Sequence, residues 1–371
     1  MPPAFPTTAL ENIRTELCDA PLLLETVSEA DALVDLTPAI DLYRAMDGSY
    51  DAHLLWLTEE PRRAMNQYGG FRFWKNDPRL QAELDFMFDG MQPDIVHTHQ
   101  LNELTSVGHA ARKAGVSCLV HTVCGEFADA PGWQLEQFAA AVDGLAPILV
   151  VPNEKAAEKL QIDARIEIVP GGIDCERYEP GDTALARRKI GLPAAPRIVG
   201  CAAPADKLEN LFKAVFRLGP EVHLALFGQA APKAEQRSMI RRLGLEERVH
   251  ILGAWAKPEL IYRAIDAYFH GPSGNCTPRP VLAAQACGKP VVACTSTASS
   301  ALCPRTGRLA PLDYFPALSN SLGAALSGAD AETSRQFILD NWNLAQAIGG
   351  YASLFGKSAP PRRPDTESRW A

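Results

Sequence analysis

Several features that assign a chain to a class at first sight are missing from this sequence. No apolar run approaches the roughly 20 residues needed to cross a bilayer, and the best candidate, FAAAVDGLAPILVVP, is interrupted by Asp143. The amino terminus lacks a basic start followed by an apolar stretch, so no signal peptide is expected. The net charge of −8 argues against nucleic acid as the main partner, because neutralising phosphates requires a basic surface.

The sequence also lacks the short motifs of several common enzyme classes. There is no G-x-G-x-x-G for a dinucleotide-linked dehydrogenase and no G-x-S-x-G for an α/β-hydrolase. Gly356-Lys357-Ser358 lacks the upstream glycine of a Walker loop. The nine cysteines are scattered and form no C-x-x-C pair, which is typical of free thiols in a reducing cytoplasm rather than of disulfides or a zinc site. A cytoplasmic location is therefore expected.

Short apolar runs alternate with longer helical patterns along most of the chain. Its 371 residues, 47% hydrophobic and 22% charged, suit a soluble globular protein of two domains. Such runs are typical of strands buried on both faces, as in parallel sheets covered by helices. The predicted strands form two series, 21–26, 52–58, 94–99, 117–123, 147–152 and 166–170, followed by 197–202, 222–228, 248–253, 267–271 and 290–294. The predicted fold class is α/β, with two Rossmann-like domains side by side.

Breaks in this pattern predict the domain boundaries. An amino-terminal Rossmann-like domain is expected over 1–180 and a second one over 181–331, with the loop GLPAAP marking the passage between them. Residues 332–356 predict a terminal helix or helix pair that packs back on the first domain. Residues 357–371 are rich in proline and charge, so a disordered tail is expected.

Several tracts carry a family pattern in sequence order. They are DIVHTHQ (94–100), IEIVPGGIDCERYEP (166–180), IVGCAAPADKLENLFKAVFRL (198–218), VHLALFGQ (222–229) and PVLAAQACGKPVVAC (280–294). Together they resemble the retaining family-4 glycosyltransferases of the GT-B fold over roughly residues 90–355.

The resemblance implies both an architecture and an activity. The two parallel sheets would face each other across a cleft, and a nucleotide sugar would bind there. The sugar would pass, with retention, to a glycan, lipid-linked or small-molecule acceptor, in the manner of polysaccharide biosynthesis. No metal or other cofactor is expected. The resemblance also allows two further partners. One is a membrane surface, contacted peripherally, and the other is a partner glycosyltransferase.

The chain departs from the family where the family carries its chemistry. Asn275 and Ala283 stand at the two acidic positions, and neither side chain carries a charge. Cys124, in LVHTVCGE, stands where the family has a histidine. Cys201 follows Val199-Gly200 where an arginine is usual, and no Gly-Gly loop follows the first strand.

On the donor side, the resemblance assigns a cofactor-binding role to a few residues. Lys207 follows the first strand of the second domain and is a phosphate ligand or an ordinary solvated lysine. Arg279, at the start of a helix, is a candidate for the missing positive charge. The backbone near Ser273 would meet the diphosphate.

The nucleoside would lie near the ends of two further strands of the second domain. Gly228 and Gly253 are interpreted first as backbone turns that close their strands. The backbone at Ala254 and Trp255 would hold the base, and Trp255 either stacks on it or packs elsewhere.

The candidate catalytic residues are His97, His99 and Cys124 on the acceptor side and Asn275 at the first acidic position on the donor side. His97 and His99 are two positions apart on a strand, so they point to the same side. A metal site needs a third ligand, and the sequence offers none by spacing. Each histidine is therefore either a contact to the acceptor or a structural residue. His121 is an alternative to Cys124, which is otherwise a buried, inert thiol.

Three hypotheses remain open at this point. The first is the retaining glycosyltransferase. The second is a catalytically degenerate GT-B protein that acts as a partner subunit or a nucleotide-sugar-binding module, which the departures favour. The third is an unrelated sugar-nucleotide-binding enzyme on a twin-Rossmann frame.

Overall fold

The computed structural model describes residues 20–28, 38–46, 49–58, 70–123, 132–203, 208–228, 232–253, 257–271, 279–294, 301–328 and 330–358. These residues form two compact units. The first unit comprises the described residues of 20–169 and 348–358, and the second comprises those of 170–347. In the described part of the chain, no helix has the length and apolar character that a membrane span requires.

The first unit contains a seven-stranded sheet in which every neighbouring pair is parallel, in the order β3-β2-β1-β4-β5-β6-β7. Its strands are Leu22–Ser28 (β1), Asp51–Thr58 (β2), Phe71–Trp74 (β3), Ile95–Thr98 (β4), Cys118–Thr122 (β5), Ile148–Val151 (β6) and Ile166–Ile168 (β7). Its helices are Pro38–Met46 (α1), Leu80–Met91 (α2), Leu101–Lys113 (α3), Gly132–Leu145 (α4) and Glu154–Leu160 (α5). The strand order is that of a Rossmann-like domain extended by one strand.

Consecutive apolar residues of these strands pack on opposite faces of the sheet. Leu24 and Val96 belong to a core with α2, α3 and α4. Leu23 and Ile95 belong to a second core with Tyr351 and its helix. Burial on both faces explains why these strands are continuous apolar runs rather than alternating ones.

The second unit contains a six-stranded parallel sheet in the order β10-β9-β8-β11-β12-β13. Its strands are Arg197–Ala203 (β8), Val222–Gly228 (β9), Val249–Gly253 (β10), Ala267–His270 (β11), Val291–Cys294 (β12) and Arg308–Ala310 (β13). The remaining helices are Thr183–Ile190 (α6), Glu209–Arg217 (α7), Ala234–Arg242 (α8), Pro258–Ala264 (α9), Arg279–Ala286 (α10), Phe315–Ser327 (α11), Ala331–Asn341 (α12) and Leu344–Ser358 (α13). Counted from β8, this is the Rossmann order 3-2-1-4-5-6.

All of the predicted strands are found, with ends shifted by one or two residues. The prediction missed β3 and β13, which lie at edges of their sheets. These strands have only four and three residues and include Arg72 and Arg308, so neither forms an apolar run.

The carboxyl-terminal segment forms a helix pair, α12 and α13. Helix α13 continues through Gly349 and Gly350 and includes Lys357 and Ser358. A Cβ atom on Gly350 would lie only 2.7 Å from Val169 Cγ1, so glycine permits close packing in the first unit. The rest of the predicted tail, 359–371, lies outside the described residues.

Candidate functional site

The strand order reverses between β1 and β4 in the first unit and between β8 and β11 in the second. In open α/β sheets, ligands bind beyond the carboxyl ends of the strands at such a topological switch point. The side chains that meet at these two switch points are therefore the candidates for a functional site.

At the β1–β4 switch point, Glu25 is the direct register partner of His97. The two side chains lie on the same face of the sheet, and His97 Nδ1 is hydrogen-bonded to Glu25 Oε2 at 2.9 Å. His99, two residues further along, contacts Glu25 Oε1 through Nε2. The prediction that His97 and His99 point to the same side is thus confirmed. We call Glu25, His97 and His99 the buried triad.

A chain of hydroxyl groups extends from the buried triad. His97 Nε2 lies 2.7 Å from Thr122 Oγ1 at the end of β5. Thr122 Oγ1 in turn lies 2.7 Å from the hydroxyl of Tyr351 on α13. The His97 ring also contacts the rings of Tyr351 and Phe355, with centroid distances of 5.1 and 5.9 Å. Both nitrogens and the ring plane of His97 are therefore held by protein groups.

The electrostatics of the buried triad follow from its burial. Glu25 and His97 are 0% exposed and His99 is 5% exposed. Burial raises the pKa of Glu25 to about 7, although His99 pulls it downward. Burial also lowers the pKa of His97 to about 3. At neutral pH, His97 is therefore neutral, while Glu25 is protonated in part of the molecules.

A second polar group lies on the opposite face of the same strands. Thr26 Oγ1 donates to Glu103 Oε2 at 2.6 Å, and the backbone amides of His99 and Gln100 donate to the same oxygen at 2.9 and 3.0 Å. Glu103 thus caps the start of α3 and fixes the turn that carries His99.

His121 belongs to this opposite face. Its Nδ1 lies 2.8 Å from Thr98 Oγ1, and its side chain is buried. Burial, reinforced by His99 and His97, holds its pKa well below the usual value. These contacts give His121 a structural role in the sheet interior.

The β8–β11 switch point has a different character. The strand interiors bury Cys201, which is 0% exposed, and Phe269, which is 1% exposed. His270 ends β11, and its burial lowers its pKa to about 4. Gly228 and Gly253 end their strands with φ of 111° and 67°, so both serve as the backbone turns that were predicted.

Arg279 lies at the start of α10 in the second unit. It is buried, and its Nη1 donates to the carbonyl oxygen of Gly172 at 2.7 Å. Ala283, at the second acidic position of the family pattern, is 0% exposed in the core of the same unit. Its side chain packs against protein.

Of the predicted site residues, the structure describes His97, His99, Gly228 and Arg279. The others lie outside the described residues, and they are Cys124, Lys207, Ala254, Trp255, Ser273 and Asn275.

Sequence reasoning missed Glu25, Thr122 and Tyr351. Glu25 did leave a signal, because it is a charged residue within the apolar run PLLLET. A charge at such a position is rarely buried without a specific partner. The contact between Thr122 and Tyr351 joins residues 229 apart in sequence, and nothing in the sequence pattern identifies it.

Comparison with known proteins adds two family models. The model "Glycosyltransferase Family 4" matches residues 39–177. The model "Glycosyl transferases group 1" matches residues 197–327. Each model falls largely within one unit, and together they span most of the chain.

Related sequences carry a consistent name. The D-inositol 3-phosphate glycosyltransferase of Mycobacteroides abscessus is 29% identical over 256 residues, which are 62% of this chain and 56% of the relative. The enzyme of that name from Mycolicibacterium gilvum is 32% identical over 160 residues, or 39% of this chain and 36% of the relative. The chain therefore spans about half or less of the length of the curated relatives it matches.

Solved structures share the fold at low sequence identity. Anabaena Alr3699/HepE in complex with UDP and glucose has a TM-score of 0.76 and 17% identity, covering 91% of this chain and 100% of its own. The sucrose-phosphate synthase of Thermosynechococcus elongatus has a TM-score of 0.71 and 19% identity, covering 91% and 98%. WaaG, a glycosyltransferase involved in lipopolysaccharide biosynthesis, has a TM-score of 0.65 and 14% identity, covering 90% and 99%.

Proposed function

The chain belongs to the family-4-like glycosyltransferases of the GT-B fold, and we propose that it transfers a sugar from a nucleotide-sugar donor to an acceptor with retention. The acceptor is a glycan, a lipid-linked molecule or a small molecule. The observation that carries the proposal is the agreement between the two family models and the fold. The family-4 and group 1 models match the two halves of the chain separately, and each half contains its own Rossmann-like sheet.

The first unit is proposed to receive the acceptor at the β1–β4 switch point. His99 is the most exposed member of the buried triad and lies just beyond β4. Glu25 holds its Nε2, and Glu103 holds its backbone amide. We assign His99 as the acceptor contact and His97 as a positioning residue, with Cys124 a further proposed neighbour of the acceptor.

The second unit is proposed to bind the donor. Lys207, Arg279 and backbone amides near Ser273 would neutralise the diphosphate that leaves with the nucleotide. The turn at Gly228 and the backbone of Ala254 and Trp255 would hold the nucleoside, and Asn275 would hydrogen-bond the sugar. With positive charge supplied in this way, the transfer needs no metal.

Names of relatives and neighbours suggest which substrates to test first. Structural neighbours were solved with UDP and UDP-glucose. Sequence relatives are named for D-inositol 3-phosphate, a phosphorylated cyclic polyol. We therefore propose UDP-sugars as first donors and phosphorylated polyols as first small-molecule acceptors. We also propose that the protein works in the cytoplasm, with peripheral contact to a membrane when the acceptor is lipid-linked.

Calorimetric titration of the purified chain with UDP-, GDP- and ADP-sugars tests the proposal. One nucleotide class is expected to bind, and slow hydrolysis of the bound donor is expected without an acceptor. Lys207→Ala should weaken donor binding roughly tenfold or more, since a hydrogen bond to a charged group contributes about 1.5–3 kcal/mol. Lys213→Ala is the matched control, because Lys213 lies over the ring of Phe315. Equal affinities of the two variants for the donor would contradict the role of Lys207.

A second function is favoured by the buried Ala283 and the uncharged Asn275. A protein without both acids has lost side chains that contact ribose and sugar in the resembling family. It would then act as a partner subunit or a nucleotide-sugar-binding module. Donor binding without turnover, together with stable co-purification with an active glycosyltransferase, is the result that would favour this function.

A further inference from the structure

The buried triad has the composition of a metal site. Glu25, His97 and His99 each offer a ligand atom, and these atoms all lie within 4.8 Å of one another. Imidazole nitrogen and carboxylate oxygen are, with thiolate, the ligands by which proteins hold Zn²⁺. In the part of the chain that the structure describes, this is the one such group of three or more side chains.

We propose that Glu25, His97 and His99 bind one divalent transition-metal ion of the Zn²⁺ type. Four potential donor atoms converge, because His97 Nδ1 lies 2.9 Å from Glu25 Oε2 and His99 Nε2 contacts Glu25 Oε1. Two imidazole nitrogens and two carboxylate oxygens match the borderline-soft, four-coordinate preference of Zn²⁺. Spacing along the chain does not join this set, since Glu25 and His97 are 72 positions apart.

The charge balance of the site favours a cation. An ionised carboxylate removed from water is costly unless a positive charge compensates for it. Among the described residues, the ion-pair partners of Glu25 are His97 and His99, and each imidazole supplies positive charge only when it is protonated. A divalent ion bound by all three side chains supplies that charge and leaves both imidazoles neutral.

The surroundings of His97 are those of a metal ligand. Metal-binding histidines generally have their second ring nitrogen held by a hydrogen bond, which fixes the ring orientation. His97 Nε2 is held by Thr122 Oγ1 at 2.7 Å, and Thr122 is held by Tyr351 at 2.7 Å. The Nδ1 atom of His97, which faces Glu25, is therefore positioned by a chain of hydrogen bonds that begins on α13.

The ion would tie β1 to β4 at the switch point of the first unit. It would also fix the position of His99, which follows β4. The proposal requires neither donor binding nor transfer, so it stands or falls independently of the proposed function.

Metal binding by the full chain tests the proposal directly. The protein is stripped with a chelator and titrated with Co²⁺ or Zn²⁺ alone, using calorimetry, elemental analysis and visible spectroscopy. One equivalent per chain is expected, and Co²⁺ should show the intense visible bands of a four-coordinate site with nitrogen and oxygen ligands. Failure of the wild-type chain to bind either ion would overturn the proposal.

Variants localise the ion. Glu25→Gln removes a ligand and should abolish stoichiometric binding, while Thr122→Val removes the support of His97 and should weaken binding by about 10–100-fold. His53→Gln is the matched control, because His53 lies 2.9 Å from Asp51 in the same sheet but has no second histidine. Circular dichroism checks that each variant folds.

A second control concerns the pair His223 and His250, whose ring nitrogens lie 2.9 Å apart in the second unit. His250→Gln should bind the ion as the wild type does. Loss of the ion in His250→Gln, or full binding by folded Glu25→Gln, would place the metal elsewhere and contradict the assignment.

Discussion

The two switch points of this protein are built in different ways. At β1–β4 the strands bury Glu25, His97 and Thr98, so the site is a network of polar side chains. At β8–β11 they bury Cys201 and Phe269 with a single histidine, His270, at the end of β11, and the strands β9 and β10 end in glycine turns. A side-chain network places chemical groups within the sheet, whereas backbone turns leave the strand ends open to a ligand that is held by amide groups. The comparison supports the proposal that side chains form the acceptor site and that backbone turns contribute to the donor site.

The largest loss of stability is expected for a substitution of Glu103, which supports the polar side chains of the β1–β4 switch point from the other face of the sheet. Glu103→Ala leaves Thr26 and the amides of His99 and Gln100 without their acceptor, and should cost about 3–5 kcal/mol, as for a broken buried network. Thermal or denaturant unfolding measures the loss. Glu83→Ala, whose ion pair with Arg79 is exposed, should cost less than about 0.5 kcal/mol. Similar losses in the two variants would show that the network contributes little.

The second prediction concerns pH and tests the β8–β11 switch point. Burial lowers the pKa of His270 to about 4 from the usual value of 6.5 for histidine. Between these values the unfolded chain holds a proton that the folded chain lacks, so stability rises with pH from about 4 to 6.5. The full contribution is about 3 kcal/mol. Urea unfolding at several pH values, compared between wild type and His270→Gln, measures it.

Because His97 and His121 also have lowered pKa values, the informative quantity is the difference between the two proteins. The stability of wild type relative to His270→Gln should increase as pH rises through this window. A difference that does not change with pH would contradict the burial of His270.

The third prediction compares two adjacent glycines of α13, the helix that covers the polar network. Gly350→Ala should cost about 1–3 kcal/mol, because its Cβ would lie 2.7 Å from Cγ1 of the buried Val169. Gly349→Ala meets no atom within 4 Å and should stabilise the helix by about 0.5–1 kcal/mol. Changes of the same sign would show that α13 does not pack as described.

The smallest changes in stability are expected from removing two tyrosine hydroxyl groups. One of them has a hydrogen-bond partner, and the other has none among the described residues. Tyr351→Phe removes the hydroxyl that pairs with Thr122 and should cost about 1 kcal/mol. Tyr262→Phe, in the second unit, removes a buried hydroxyl that has no hydrogen-bond partner among the described residues, and should be neutral or stabilising by about 1 kcal/mol. The unfolding midpoints of the two variants measure these changes. A larger loss of stability in Tyr262→Phe than in Tyr351→Phe would contradict the contrast between the two units.

The fold was largely readable from the sequence because parallel strands are buried on both faces. Runs such as those at 222–228 and 117–123 are continuous and apolar, so their pattern alone identifies them. Strands β3 and β13 escaped detection because they are short edge strands with charged residues. The helix pair at the carboxyl end was also predicted, and α13 continues through its two glycines.

The candidate site was only half readable. The spacing of His97 and His99 predicted both histidines on one face, and their shared contacts with Glu25 confirmed it. Their contact with Glu25 depends on which strands become neighbours in the sheet. The periodicity of the sequence does not specify that order. The contact between Thr122 and Tyr351 depends on how α13 docks, which is a property of tertiary packing.

The proposed function is the transfer of a sugar with retention. The most direct test is proton NMR of the product formed from an α-linked UDP-sugar and a phosphorylated polyol or glycan acceptor. Retention gives a product whose anomeric carbon has the α configuration from the first turnovers. A β-configured product would contradict retention, and the absence of any product with every donor that binds would contradict the transferase itself.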